Sequence, residues 1–201
     1  MREIGTIKLL QIQTGSLKIG TRPTSTYDPA PILVVERLLL SQDGAQGVLP
    51  NGERIVDIHN ARHPQSRNNG DNAISIGFTA HYAAMRQRFG PHMRDGVAGE
   101  NMIIDSADSF TLDDLGGRVG ILNAASGQTF LFDVLKIAAP CIEFSHFAAG
   151  KNAAQGDTLS GTDLKAALQF LGAGRRGFHI APVRAYENLS VQLGDTVFVA
   201  R

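Results

Sequence analysis

Two apolar runs separated by four small residues set the first constraint on the fold. Residues 118–123 and 128–137 flank Ala124-Ala125-Ser126-Gly127. Strand-length runs joined by a short glycine-containing loop read as an antiparallel hairpin. The second run, Phe130-Leu131-Phe132-Asp133-Val134-Leu135-Lys136-Ile137, leads through Pro140 into Cys141, the only cysteine among 201 residues. The sheet holding this hairpin therefore also delivers the chain's one soft nucleophile.

Further runs extend the sheet. Residues 4–13 place Ile4, Ile7, Leu9, Leu10 and Ile12 among polar neighbours, as a first strand does. Residues 32–40 are apolar and β-branched at their start, which predicts one buried strand. Short strands are expected at 73–76 and 100–105, and closing strands at 178–186 and 196–200, joined through Leu193-Gly194-Asp195. Residues 14–31 read as a loop or hairpin crossing, and 41–52 as turns around Asn51-Gly52. The stretch 54–72 has little periodicity, with two His, three Arg and four Asn. Long polar loops of this kind commonly carry function.

Only two helices are expected. Thr79 caps one, with Phe78, Tyr82, Met85 and Phe89 along a core-facing side and a stop at Gly90-Pro91. Ser160 or Thr162 caps the other, with Leu164, Ala167, Leu168 and Leu171 at helical spacing and Gly172 as the stop. Residues 112–115 make a helical turn at most, and 143–149 are short and mixed. Many strands with few helices predict a mainly β fold, a closed or partly closed β-barrel, in a single domain over residues 1–201.

Composition narrows the function. Lys+Arg and Asp+Glu are both 19, so the chain carries no global field for nucleic acid or a membrane surface. One cysteine forms no internal disulfide. No apolar run approaches the ~20 residues of a membrane helix, and Met1-Arg2-Glu3-Ile4-Gly5 lacks a signal-peptide pattern. A cytoplasmic protein with neither nucleic-acid nor membrane partners is the expectation.

Four groups of residues carry candidate chemistry. Cys141 is a small hydrophobe if buried, and a nucleophile or metal ligand if exposed near positive charge. His59 and His63 have the i,i+4 spacing of a helical zinc pair, but Pro64 and the nearby asparagines argue against a helix, leaving pocket or loop roles. Gly96-Val97-Ala98-Gly99-Glu100-Asn101 is a turn that can form an anion-binding nest of N–H groups. Arg175 and Arg176, between glycines, suit a phosphate or carboxylate clamp.

In this order the blocks resemble the MOSC domain, found at the C-terminus of molybdenum-cofactor sulfurases and as small stand-alone proteins. The resemblance rests on Asp57-Ile58-His59 opening a loop that ends at Asn69-Gly70-Asp71-Asn72-Ala73-Ile74, then Gly99-Glu100-Asn101, Pro140-Cys141, and Gly174-Arg175-Arg176-Gly177-Phe178 with Gly194-Asp195. It covers residues 30–201. It implies a MOSC-like β-barrel and a pocket for a pyranopterin molybdenum cofactor, or sulfur transfer through a persulfide on Cys141. By the same resemblance Cys141 is the sulfur carrier or metal ligand, Asn101 bonds the pterin, His59 lines the pocket, Arg176 meets an anionic group, and Gly99 and Glu100 belong to the cofactor site. Reduction of an N-hydroxylated substrate would require an electron-donating partner, and sulfur delivery a cofactor-accepting protein. Two positions depart from the family pattern: Ala138 and Asn72 stand where basic residues are frequent. The alternatives are a degenerate MOSC-fold module binding an anion or a protein, and a thiol enzyme pairing Cys141 with His59.

Overall fold

The computed structural model describes residues 1–200. In chain order the strands are β1 (Arg2–Gln13), β2 (Lys18–Ile19), β3 (Thr26–Tyr27), β4 (Ile32–Val34), β5 (Arg37–Ser41), β6 (Gly44–Val48), β7 (Arg54–Val56), β8 (Ile74–Phe78), β9 (Met102–Asp105), β10 (Arg118–Leu122), β11 (Thr129–Ile137), β12 (Phe178–Pro182), β13 (Ser190–Gln192) and β14 (Thr196–Val199). The helices are α1 (Thr79–Phe89), α2 (Ile142–Ala148) and α3 (Gly161–Leu171). Seven strands close a barrel in the order β14-β10-β11-β12-β8-β9-β1, with β1 returning to β14. Closure leaves no unpaired edge around the ring. The pairings are antiparallel except β8 with β9, and a parallel pair needs a crossover, which α1 begins. A four-stranded sheet, β13-β5-β6-β7, sits beside the barrel.

Alternation along the strands builds two cores. Phe130 and Phe132 of β11, Val119 and Ile121 of β10, and Met102 and Ile104 of β9 point into the barrel. Ile103, between the last two, faces outward into a second cluster with Tyr82, Met85, Phe144 and Leu171 from the three helices, and with Tyr27 from the β2–β3 hairpin. Burial of each such side chain stabilises by about 1.5–3 kcal/mol. The helices thus cover one outer flank of the barrel, and the candidate site lies beside them, lined by barrel strands, the β2–β3 hairpin and connecting loops, with only the N-cap of α2 reaching it.

The mainly β barrel, the 118–137 hairpin and the Ser160-capped helix agree with the sequence reading. Several details differ. Residues 32–40 form two strands, because the chain turns at Val35-Glu36, with Val35 buried and Glu36 exposed. Residues 44–48, read as turn, form β6, where Gly47 is required: a Cβ there would lie 2.6 Å from Val35 Cγ1. Thr79 does not cap α1. Phe78 holds the N-cap, and Thr79 Oγ1 donates to Ser106 O (3.0 Å) and accepts from Ser106 N–H (3.0 Å). Residues 143–149, read as short and mixed, fall largely within a third helix, α2.

Candidate functional site

β11 ends at Ile137, and Ala138-Ala139-Pro140 carry the chain across to α2, whose N-cap is Cys141. Its extended backbone (φ −106°, ψ 162°) lets Sγ accept the Phe144 N–H at 3.4 Å. Ser145 Oγ donates to the Cys141 carbonyl at 2.9 Å and fixes the turn. Cys141 is partly exposed, and it opens into a cavity of about 690 Å3. His59, Gly99, Glu100 and Arg176 line the same cavity. Residues from four separate sequence blocks therefore meet in one place, at a volume typical of small-molecule sites.

Arg176 ties two of these blocks together. Its Nη1 donates to Ala139 O (3.1 Å), its Nη2 donates to Ala98 O (2.9 Å), and its guanidinium lies 4.4 Å from the Phe144 ring centroid. Its Nε is buried without a partner. The following Gly177 has φ +82°, and a Cβ there would sit 2.1 Å from Ile76 O. Only glycine lets the chain cross β8 this closely.

Glu100 forms the buried floor. Tyr82 Oη donates to its Oε2 at 2.6 Å, while Oε1 has no partner. Burial pushes the carboxyl up to about 7 against the opposing pull of the Tyr82 hydroxyl, its own backbone N–H and Arg176. Tyr82 is itself pushed well above 10, by burial and by Glu100.

Asp57 is fully buried and accepts four hydrogen bonds. Oδ2 takes Gln13 N–H (2.8 Å) and Asn101 Nδ2 (3.1 Å); Oδ1 takes His59 N–H (2.7 Å) and His59 Nδ1 (3.2 Å). Asn101 is only 4% exposed and does not line the cavity. Its Oδ1 accepts from Ser75 N and Oγ, and its Nδ2 also reaches Gln11 O. The structure thus makes Asn101 a strut behind the wall rather than a ligand contact. The Gly96–Asn101 stretch is a plain turn, and four of its N–H groups are used within the protein. Val97, Ala98, Gly99 and Asn101 give their N–H groups to Arg94 O, Tyr82 Oη, Gly96 O and Ser75 Oγ.

Further cationic groups appear on the walls. Lys18, Arg67 and Lys136 line the cavity; Lys136 pairs with Asp71, and Lys18 lies 3.6 Å from Glu143. His179 lines it too, and burial, with help from Lys136, His59 and Arg176, lowers its pKa to about 4. Lys136 and His179 sit on neighbouring strands, β11 and β12, in register with each other. Ala138 and Asn72 also line the cavity. Arg62 instead pairs with Asp43 (2.6 Å), and Arg175 stacks on Phe170 at 4.1 Å, both away from the lining. The 57–63 segment is turn rather than helix, and His63 lies outside the cavity. Among the described residues no cluster of three His, Cys, Asp or Glu is arranged for a metal, and no helix is long and apolar enough to cross a membrane.

No protein-family model matches the chain. A search of curated proteins also finds no match. Solved structures do match. The YuaD protein from Bacillus subtilis is 15% identical with a TM-score of 0.58, over 98% of this chain and 96% of that one. A hypothetical protein is 14% identical with a TM-score of 0.53, over 98% and 68%. YiiM from Geobacillus stearothermophilus is 16% identical with a TM-score of 0.51, over 100% and 76%. The chain shares its barrel fold with these proteins.

Proposed function

We propose that this is a MOSC-like protein whose cavity binds a pyranopterin molybdenum cofactor with Cys141 as its protein thiolate. One observation carries the reading: a partly exposed Cys141 opens into a cavity of about 690 Å3 whose walls also bear Lys18, Arg67, Lys136 and Arg176. The shared barrel fold supports it. The donor set fits the group. Thiolate is a soft ligand, and the cations suit an anionic phosphate. When bound, that group would supply redox and sulfur-ligand chemistry at Cys141.

The chain's own residues have separable tasks. Arg176 fixes the distance between the Gly99 turn and the Cys141 turn through its two carbonyl bonds. Glu100, pushed up to about 7 by burial, titrates at the floor and so sets how much negative charge faces the four cations of the walls. His59 is aimed by Asp57. A second reading, an anion-binding module without catalysis, is favoured by one specific feature: Ala138 and Asn72 present no charge to the cavity they line. Each missing charge-assisted bond weakens anion binding by about 1.5–3 kcal/mol.

Anoxic purification from molybdate-fed cells, with metal and pterin analysis, tests the proposal. The expected result is near-stoichiometric molybdenum and pterin in the wild type and loss of metal in Cys141→Ser. A protein that purifies without cofactor and rejects it when added refutes cofactor binding and leaves the anion-module reading.

A further inference from the structure

The six histidines differ in which ring nitrogen is free, and the hydrogen bonds decide it. His63 Nδ1 accepts Gln65 N–H (3.0 Å) and His146 Nδ1 accepts Leu159 N–H (3.2 Å), so in their neutral forms both carry the proton on Nε2. His92 Nε2 faces the carbonyl of Ala148 (3.0 Å), an acceptor, so it too is protonated on Nε2. His81 Nε2 accepts Phe110 N–H (3.1 Å) inside the core. His179 Nδ1 is buried without a partner.

His59 alone has a carboxylate partner within hydrogen-bond distance. Asp57 Oδ1 can only accept when ionised, so Nδ1 of His59 is the donor and Nε2 is left bare. Asp57 is buried and held from both sides by Gln13 N–H and the Asn101 side chain, so the imidazole is aimed by a rigid mount. His59 lines the Cys141 cavity, is partly exposed, and has no other side-chain bond.

We infer that His59 is the acid–base residue of this cavity, with Asp57 as its positioning residue. The ligand it serves is one that presents an acidic O–H or N–H to the wall where His59 sits. In the step, Nε2 takes that proton, the electron pair stays on the ligand atom, and the imidazolium is stabilised by Asp57; the reverse step returns the proton. This role rests on the reading of the cavity as a ligand site, but not on which cofactor fills it.

The test uses the full chain without cofactor. Nitrogen-15 histidine NMR, at a pH where His59 is neutral, should show His59 protonated on Nδ1 and bare on Nε2. Diethyl pyrocarbonate, which attacks a bare ring nitrogen, should modify His59 faster than His63, as read by peptide mass spectrometry. Asp57→Asn replaces the charged acceptor at Nδ1 by a neutral carboxamide, which roughly halves the strength of that bond, so the Nδ1-protonated form should lose population and His59 modification should slow about tenfold. Asp57→Glu should restore part of the rate. If Asp57→Asn does not fold, the wild-type tautomer and the His59-to-His63 rate ratio still decide. A wild-type His59 protonated on Nε2, or modified no faster than His63, overturns the inference. Neither result bears on cofactor retention, which is measured separately.

Discussion

Replacing Glu100 by glutamine removes the buried proton site at the floor of the cavity and should change how stability depends on pH. The carboxyl rises from an ordinary 4.5 to about 7 because burial outweighs the Tyr82, backbone and Arg176 interactions. Its folded pKa is therefore above its unfolded one. That contribution to stability is complete below about pH 4.5, where both states are protonated, and is lost as pH rises through 7. The rise from 4.5 to about 7 corresponds to about 3 kcal/mol, and most of it falls between about pH 5 and pH 8. The carboxamide introduced by Glu100→Gln can still accept the Tyr82 hydroxyl while carrying no charge. Urea unfolding of both proteins across that range should show the variant gaining about 2–3 kcal/mol on the wild type as pH rises, roughly a 1 M shift in relative midpoint. All other titrating groups are common to both proteins and cancel in the difference. Parallel stability curves would refute the claim that Glu100 is forced to hold its proton.

Other residues give sharper structural tests. Glu143, 4% exposed, binds Arg22 Nε (3.2 Å), Ser25 Oγ (3.1 Å) and Lys18 Nζ (3.6 Å), so it latches the β2–β3 hairpin onto the helix that begins at Cys141. Burial alone would raise its pKa, but the backbone N–H, Lys18, Arg22 and Cys141 bring it down to about 2. Its stabilisation is thus present above about pH 4.5 and lost as pH falls through 2. Because its cationic partners are largely exposed, Glu143→Gln should cost about 1–3 kcal/mol. Hydrogen exchange over residues 14–31 and alkylation of Cys141 should both accelerate, and unchanged rates would remove the latch. Gly177→Ala should destabilise by at least about 1–3 kcal/mol, measured by thermal unfolding, since its Cβ would strike Ile76 O and its φ is positive.

The fold is more legible in the sequence than the site's wiring. The hairpin at β10–β11 can be read because its apolar runs and loop are local. The helix α3 can be read because Ser160 and Gly172 mark both ends. The helix α2 is hidden because its cap is a cysteine, whose sulfur does what Ser or Asp does elsewhere. The split of β4 from β5 is hidden because Val35, though apolar, is buried at a turn. In the site, Cys141, His59, Gly99, Glu100 and Arg176 meet in one cavity, whereas Asn101 beside them turns inward to hold Ser75 and Asp57. A turn's sequence does not say which way a carboxamide faces. Lys136 and His179 escape sequence reasoning because each sits within an apolar strand and gains meaning only from the register of β11 with β12. A lysine inside an otherwise apolar run is the one signal available.

The most direct test of the central claim is X-ray absorption at the molybdenum edge on the anoxically purified protein and its Cys141→Ser variant. The account predicts one more sulfur neighbour around the metal in the wild type than in any metal the variant retains. An equal sulfur count in the two, or a wild type that takes up no molybdenum under any loading condition, would contradict it.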